Sequence, residues 1–263
     1  MNIMGFDRRD MLMLSNLFRM ALTDRYLGSA LGTVWAFLSP LMLLGIFCFV
    51  FTFVFPNRMA GATSTLTFVI WLFSGYGPWL SISEGLSNGT ASVVGSAGIV
   101  KNIAFKSELL PVVGALLGLV PLAVSFVLIA LLQLVNGTLP QPAMLILPLV
   151  VLLQLVFVAG LGMFLGALNV FVRDTALILP NLLTILLFAS PIFYALTAYP
   201  AFAQSVLVFN PFYVIAECYR DPILNGRLPP LWMLAYLTIC ASLSLTGGLL
   251  WFRRLKNFFD TRL

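Results

Sequence analysis

Six stretches of this chain run for eighteen residues or more with almost no ionisable side chain. They are Val34–Phe55, Leu66–Ser83, Leu109–Val135, Ala143–Val170, Leu177–Leu196 and Leu231–Phe252. A helix needs about 20 apolar residues to cross roughly 30 Å of hydrocarbon, so each stretch reads as a membrane span. Barrel strands alternate over about ten residues, and these runs are too long and too continuous for that. The breaker-rich turn from Asn136 to Pro142 separates the third run from the fourth. Only 9% of the 263 residues are charged, against about 25% in a soluble domain. So few charges cannot cover a water-facing globule, which excludes a cytosolic enzyme, a secreted domain and a nucleic-acid binder. There is no His, and Cys48, Cys218 and Cys240 are far apart, so neither a disulfide framework, nor a zinc site, nor His-dependent catalysis is expected. The expected fold class is all-α, a polytopic membrane protein with six transmembrane helices.

The basic residues orient the spans. With both termini inside, the inner side holds Arg8, Arg9, Arg19, Arg25, Lys101, Lys106, Arg173, Arg253, Arg254, Lys256 and Arg262. The outer side holds only Arg58, Arg220 and Arg227. That bias is the one expected of cytoplasmic termini. The first thirty residues are not a signal peptide, because Ser15, Asn16 and Arg19 interrupt the apolar stretch and no small-residue cleavage site follows. Met11, Leu14, Phe18 and Leu22 instead recur at helical spacing, which predicts an amphipathic helix at the inner interface or a simple N-terminal anchor.

Three segments do not read as spans. Residues 84–108, on the inner side, are rich in small residues and carry a short helical patch from Ala91 to Val100. Val93, Val94, Ile99, Ile103 and Phe105 are too apolar for a solvated linker, so this loop is expected to dock a cytoplasmic partner. Residues 198–228, on the outer side, are too short for two spans. Two short helices broken at Asn210-Pro211 fit better, as a re-entrant hairpin. Arg220 there would pair with Glu217 or with Asp221, easing the cost of charge near lipid. The alternative is a plain connecting loop. The basic C-terminal residues 253–263 read as a stop with lipid-headgroup contacts.

The chemistry is sparse. No GxxxxGK[ST] occurs, so the chain itself is not expected to cradle ATP phosphates. No paired acids lie within the spans, which argues against an ion-coupled carrier. Aromatics are frequent in the spans: Trp35, Phe47 and Phe51 in the first, Trp71, Phe73, Tyr76 and Trp79 in the second, Phe188, Phe193 and Tyr194 in the fifth. In most membrane helices such residues face lipid or form interfacial belts. The other reading is a conduit whose flat apolar faces stack on the rings of a sugar polymer without fixing its register. The spacings Gly114–Gly118 and Gly162–Gly166 read as close helix contacts.

Several motifs, in order along nearly the whole chain, resemble those of one family. The run Asp24-Arg25-Tyr26-Leu27-Gly28-Ser29, then Leu31-Gly32, Trp35 and Pro40, is similar to the start of the first span in polysaccharide-exporting ABC permeases. Val100-Lys101-Asn102 through Lys106-Ser107-Glu108-Leu109-Leu110-Pro111 resembles their "KK-FPREILPL". Ala167 to Asp174 resembles "LNV-FRD", Ser190 to Tyr194 resembles "SPI-Y", and Asn210-Pro211 with Tyr219-Arg220 resembles the "NP" helix that ends in an aromatic and an arginine. Lys106-Ser107-Glu108 departs from the family's Pro-Arg-Glu, and Asp221-Pro222 implies a kink in the last helix.

The resemblance implies a single permease domain, residues 1–263. It would have an interface helix in 1–30, a coupling segment in 84–108 and an outer gate hairpin in 198–228. It implies a homodimer in the bacterial inner membrane with two separate ATP-binding subunits, which alone bind ATP and Mg. The cargo would be a lipid-linked polysaccharide, O-antigen first, with capsule, teichoic acid, lipo-oligosaccharide or a drug-like amphiphile as alternatives. Arg25, Val93, Val94, Ile99, Lys101, Arg173 and Asp174 would couple to the ATPase, and Pro211, Glu217, Tyr219 and Arg220 would form the gate. A membrane-embedded transferase is the rival from another class. With no His, it would have to use Glu84, Glu108 or Asp174.

Overall fold

A computed structural model describes residues 7–24, 31–54, 65–102, 105–138 and 140–262. Every regular element among the described residues is helical. In chain order they are α1 (Arg8–Asp24), α2 (Trp35–Phe49), α3 (Thr65–Gly95), α4 (Ala97–Asn102), α5 (Leu109–Leu117) and α6 (Leu119–Val135). There follow α7 (Leu147–Phe171), α8 (Asp174–Ala189), α9 (Ala201–Leu207), α10 (Pro211–Arg220) and α11 (Leu231–Leu255).

The axis of the bundle is α3. It packs on α5, α6, α7, α8 and α10, and nearly every residue from Val69 to Ile82 is buried. A helix surrounded in this way must be apolar on all sides, which is why its sequence shows no polar face. α7 lies between α3 and α11. Glycines let the backbones touch. A Cβ on Gly114 of α5 would overlap the Gly89 backbone of α3, and one on Gly118 would overlap the Ser81 carbonyl. Gly162 and Gly166 of α7 meet the same Gly89, and Gly248 of α11 sits against the Gly160 carbonyl. The two small-residue spacings are therefore helix contacts, as their pattern predicts.

Buried polar side chains tie the same helices. Tyr219 Oη donates to Gln154 Oε1 at 2.9 Å, and Gln154 Nε2 donates to Ser81 Oγ at 2.9 Å. Gln133 Nε2 donates to the Ile223 carbonyl at 2.9 Å. Each residue interrupts an apolar run, and each finds a partner on another element, as burial requires.

Four helical stretches are long and apolar enough to cross a membrane: Thr65–Gly95, Leu109–Val135, Pro142–Phe171 and Leu231–Phe259. Phe37–Ile46 within α2, and α8, are apolar but shorter. α9 pairs with Pro211–Asn225 across a bend of 83°. The described residues thus give four full spans and one bent pair, where the sequence predicts six spans of similar length. The reasons are local. Pro191 follows the last turn of α8 and cannot continue it, so the helix stops at Ala189, short of the expected Leu196. α2 gives way to a wider π turn over Val50–Val54. The third span is two helices, because Pro121 removes a backbone donor just after Gly118.

The extent of the second span is corrected. α3 does not end near Ser83 but continues to Gly95, and only then turns at Ser96 into α4. Gly85 and Gly89 are helix contacts there, not breakers. The expected separate patch Ala91–Val100 is thus split between the end of α3 and α4. The N-terminal helix lies on protein: Leu17 is buried, and Met13, Leu14, Phe18 and Ala21 pack with it on Leu109, Leu110 and Val113. Met11, expected on that apolar face, is 64% exposed. The C-terminal residues also pack on protein, since Phe259 is 1% exposed and meets Phe252 edge-on at 5.3 Å.

Candidate functional site

Two clusters of charge lie at opposite ends of the bundle. At one end α8 stops, α9 and α10 fold back, and α10 packs against α3. Asn210 caps α10: its side chain accepts from Phe212 N at 2.9 Å, and its Nδ2 donates to Ser190 Oγ at 2.9 Å. Pro211 occupies the first helical position, where its missing N–H costs nothing. Hence the bend at Asn210-Pro211 is both the start of α10 and a tie to the end of α8.

Arg220, at the other end of α10, is 2% exposed. Its Nη1 donates to Glu217 Oε1 at 2.8 Å and to the Pro191 carbonyl at 3.2 Å. Its Nη2 donates to the Ile192 carbonyl at 2.6 Å. The guanidinium lies over the Trp71 ring at 3.8 Å, and Gly75 leaves the space it fills. Pro191 and Ile192 follow the broken end of α8, where carbonyls lack helical partners. The planar fork of an arginine satisfies two of them at once. Asp221 is also 2% exposed, yet it pairs with Arg227 at 2.8 Å and Asn225 at 2.9 Å, not with Arg220. Of the two pairings expected for Arg220, the Glu217 one forms. The kink expected at Asp221-Pro222 is a π turn over Asp221–Asn225. Pro211, Glu217, Tyr219 and Arg220, the residues expected to form a gate, thus share one helix, with Tyr219 and Arg220 facing inward.

The aromatics divide. Phe73, Tyr76, Trp79 and Phe193 are buried, and Tyr76 packs on Phe193 at 5.1 Å. They present no free face to a polymer. Trp71 is half-buried beneath Arg220, and Trp35 is half-buried. Phe188 and Tyr194 are exposed. Arg25 and the side chains of Phe47 and Phe51 lie outside the described residues.

At the other end, Val93 is buried with Met163 and Phe252, while Val94 and Ile99 are half-buried. Lys101, Arg173 and Asp174 are exposed. Asn169 brings these stretches together, since its Nδ2 donates to the Thr90 carbonyl at 3.1 Å and its Oδ1 accepts from Ala176 N at 3.2 Å. The turn carrying Arg173 and Asp174 is therefore fixed to the end of α3.

Three ion pairs complete this end. Lys106 binds Asp10 of α1, and Glu108 accepts from Lys256 at 2.9 Å and Arg253 at 3.4 Å. The hydrogen bond from Lys106 holds the Asp10 carboxyl below its ordinary value. Burial opposes ionisation of Glu108, but the bond from Lys256 and the charges of Lys256 and Arg253 outweigh it, so its value is lowered too. Both carboxylates thus contribute stability above the ordinary carboxylate range, and that stability is lost as pH falls through their lowered values. Sequence reading did not pair these residues, because partners 96 and 148 positions apart leave no local pattern.

Among the described residues no group of three His, Cys, Asp or Glu is placed to hold a metal. What the geometry supplies is a helical bundle with a charged end and a latched, bent helix pair at the other. The sequence pattern of the ABC-2 type transporter family matches residues 14–224. The chain is 30% identical to an O-antigen export system permease protein of Myxococcus xanthus, over 86% of this chain and 87% of that protein. Two such proteins of Klebsiella pneumoniae are 24% and 26% identical, each over 78% of this chain and 77% of their own length. The chain belongs to the ABC-2 type transporter family, as a non-catalytic multi-pass membrane permease that works with a separate ATP-binding subunit.

Proposed function

We propose that this chain is the permease of an ABC exporter that moves a lipid-linked surface polysaccharide, O-antigen in kind, across the bacterial inner membrane. The observation that carries the reading is the similarity to O-antigen export permeases along most of both chains. Six spans per subunit follow if α2 and α8 cross the membrane as short helices beside the four long ones. Cytoplasmic termini follow from the basic residues near α1, α4 and the end of α11. Both α2 and α8 carry large exposed apolar side chains, among them Phe37, Ile46, Leu177 and Ile185, which suits contact with lipid and with a second copy of the chain.

Two ATP-binding subunits would dock at the charged end, on α1, α4 and the Arg173-Asp174 turn, with Arg25, Val93, Val94, Ile99 and Lys101 in the coupling region. Phe188, Tyr194 and Trp35 are the aromatics still open enough to meet a polymer, with α9 and α10 as the outer gate. ATP and Mg bind on the partner subunits only.

Deleting the gene tests this reading. Long lipid-linked polymer should accumulate on the cytoplasmic side and disappear from the cell surface, as read by fractionation. An unchanged surface polysaccharide would overturn the cargo, and another amphiphile trapped inside would identify its replacement.

A further inference from the structure

We propose that Lys106-Ser107-Glu108 is a junction that makes α1, α5 and the C-terminal segment move as one piece, with Glu108 as its positioning residue. The inference rests on the reading that ATP-binding subunits dock at this end. Three successive residues, in the turn that opens α5, hold two distant parts of the chain. Lys106 holds Asp10 of α1, and Glu108 holds Lys256 and Arg253 at the end of α11. Glu108 is 1% exposed, and its Oε2 is buried without a hydrogen bond. A buried carboxylate with one oxygen empty depends on its cations, so this end of α11 cannot leave without a large cost. Phe259 holds the same segment from the other side, against Phe252 and Phe171 and in one cluster with Val93 of α3.

α11 otherwise packs mainly on α7 and α10. Without the Glu108 ties, a displacement of α1 and α5 would reach α11 only through α7 and the apolar cluster of Val93 and Phe252, which can slide. With them it reaches α11 directly, and α11 in turn contacts α10, which ends in Arg220. The junction therefore gives a push at the charged end a short route to the bent pair at the other.

The test uses the full complex with its ATP-binding subunits in proteoliposomes. Two readouts are polymer moved per ATP hydrolysed and the distance between spin labels at Leu12 and Asn257. In the wild type the label distance stays fixed between the nucleotide-free and the vanadate-trapped states. In the variant Lys256→Ala with Arg253→Ala, and in Glu108→Gln, the distance should change between those states. Polymer per ATP should fall about tenfold, within the usual range of coupling between sites. Lys256→Arg keeps the charge and should restore both readouts. The junction is wrong if the double variant keeps a fixed distance and wild-type polymer per ATP, or if Lys256→Arg fails as alanine does. A wild-type complex that hydrolyses ATP with fixed labels, yet moves no polysaccharide, would overturn the cargo and leave the junction standing.

Discussion

Replacing Arg220 with alanine should free the C-terminal end of α10 from the residues that follow α8 and abolish export. The substitution removes the guanidinium that donates to two carbonyls beyond α8, and the counter-charge of Glu217. Breaking a buried ion pair from one side costs about 3–5 kcal/mol. Much of that cost here comes from the Pro191 and Ile192 carbonyls, since Glu217 is 23% exposed and can take up water. Glu217→Gln should therefore be the milder change. Arg220→Lys should not rescue, because one ammonium cannot fork across two carbonyls and still lie flat on Trp71. Gly75→Leu should imitate the alanine variant by filling the space of the guanidinium. Thermal unfolding in detergent, with surface polymer measured in parallel, checks the series. An Arg220→Ala protein that unfolds at the wild-type temperature would mean the latch carries no load.

The second large effect is expected at the crossing of α3 and α5. A side chain on Gly114 would meet the backbone of Gly89, not a side chain that can rotate away. Overpacking usually costs about 1–3 kcal/mol because neighbours adjust. Here the adjustment must separate two helices that α7 also holds through Gly162 and Gly166, so Gly114→Val should prevent accumulation of folded protein. Gly247 is the control on the same scale, since nothing lies within 4 Å of a Cβ placed there. Gly247→Val should elute from a sizing column as the wild type does, and Gly114→Val should aggregate or vanish. Equal yields of the two would remove the close crossing from the account.

These two sites also mark how far the sequence could be read. Gly114–Gly118 and Gly162–Gly166 stand out because small residues at helical spacing have one common use in a membrane. The break at Asn210-Pro211 is equally legible, since proline can open a helix but not continue one. Arg220 is harder. Its motif is visible, and Glu217 three residues earlier marks one partner, but the other partners are backbone carbonyls left without helical donors because α8 stops at Ala189. The length of α3 is hidden for a related reason. Gly85 and Gly89 look like loop residues in sequence, and their role as contact points appears only with α5 and α7 in place. The aromatics show the limit of composition. Phe73 and Phe188 read alike, yet one is 1% and the other 56% exposed, because one lies on a helix surrounded by others and the other on a helix with an open face.

The central claim is that this chain carries the path of a lipid-linked polysaccharide while a separate subunit hydrolyses ATP. The direct measurement places the purified chain with its ATP-binding subunit in proteoliposomes, with lipid-linked polymer labelled in its sugar. ATP is supplied on the side where that subunit lies, and a glycosidase is added to the same side. The account predicts that ATP and Mg make a growing fraction of the polymer resistant to the enzyme, and that leaving out this chain abolishes that protection. A complex that hydrolyses ATP while all the polymer stays open to the glycosidase would contradict it.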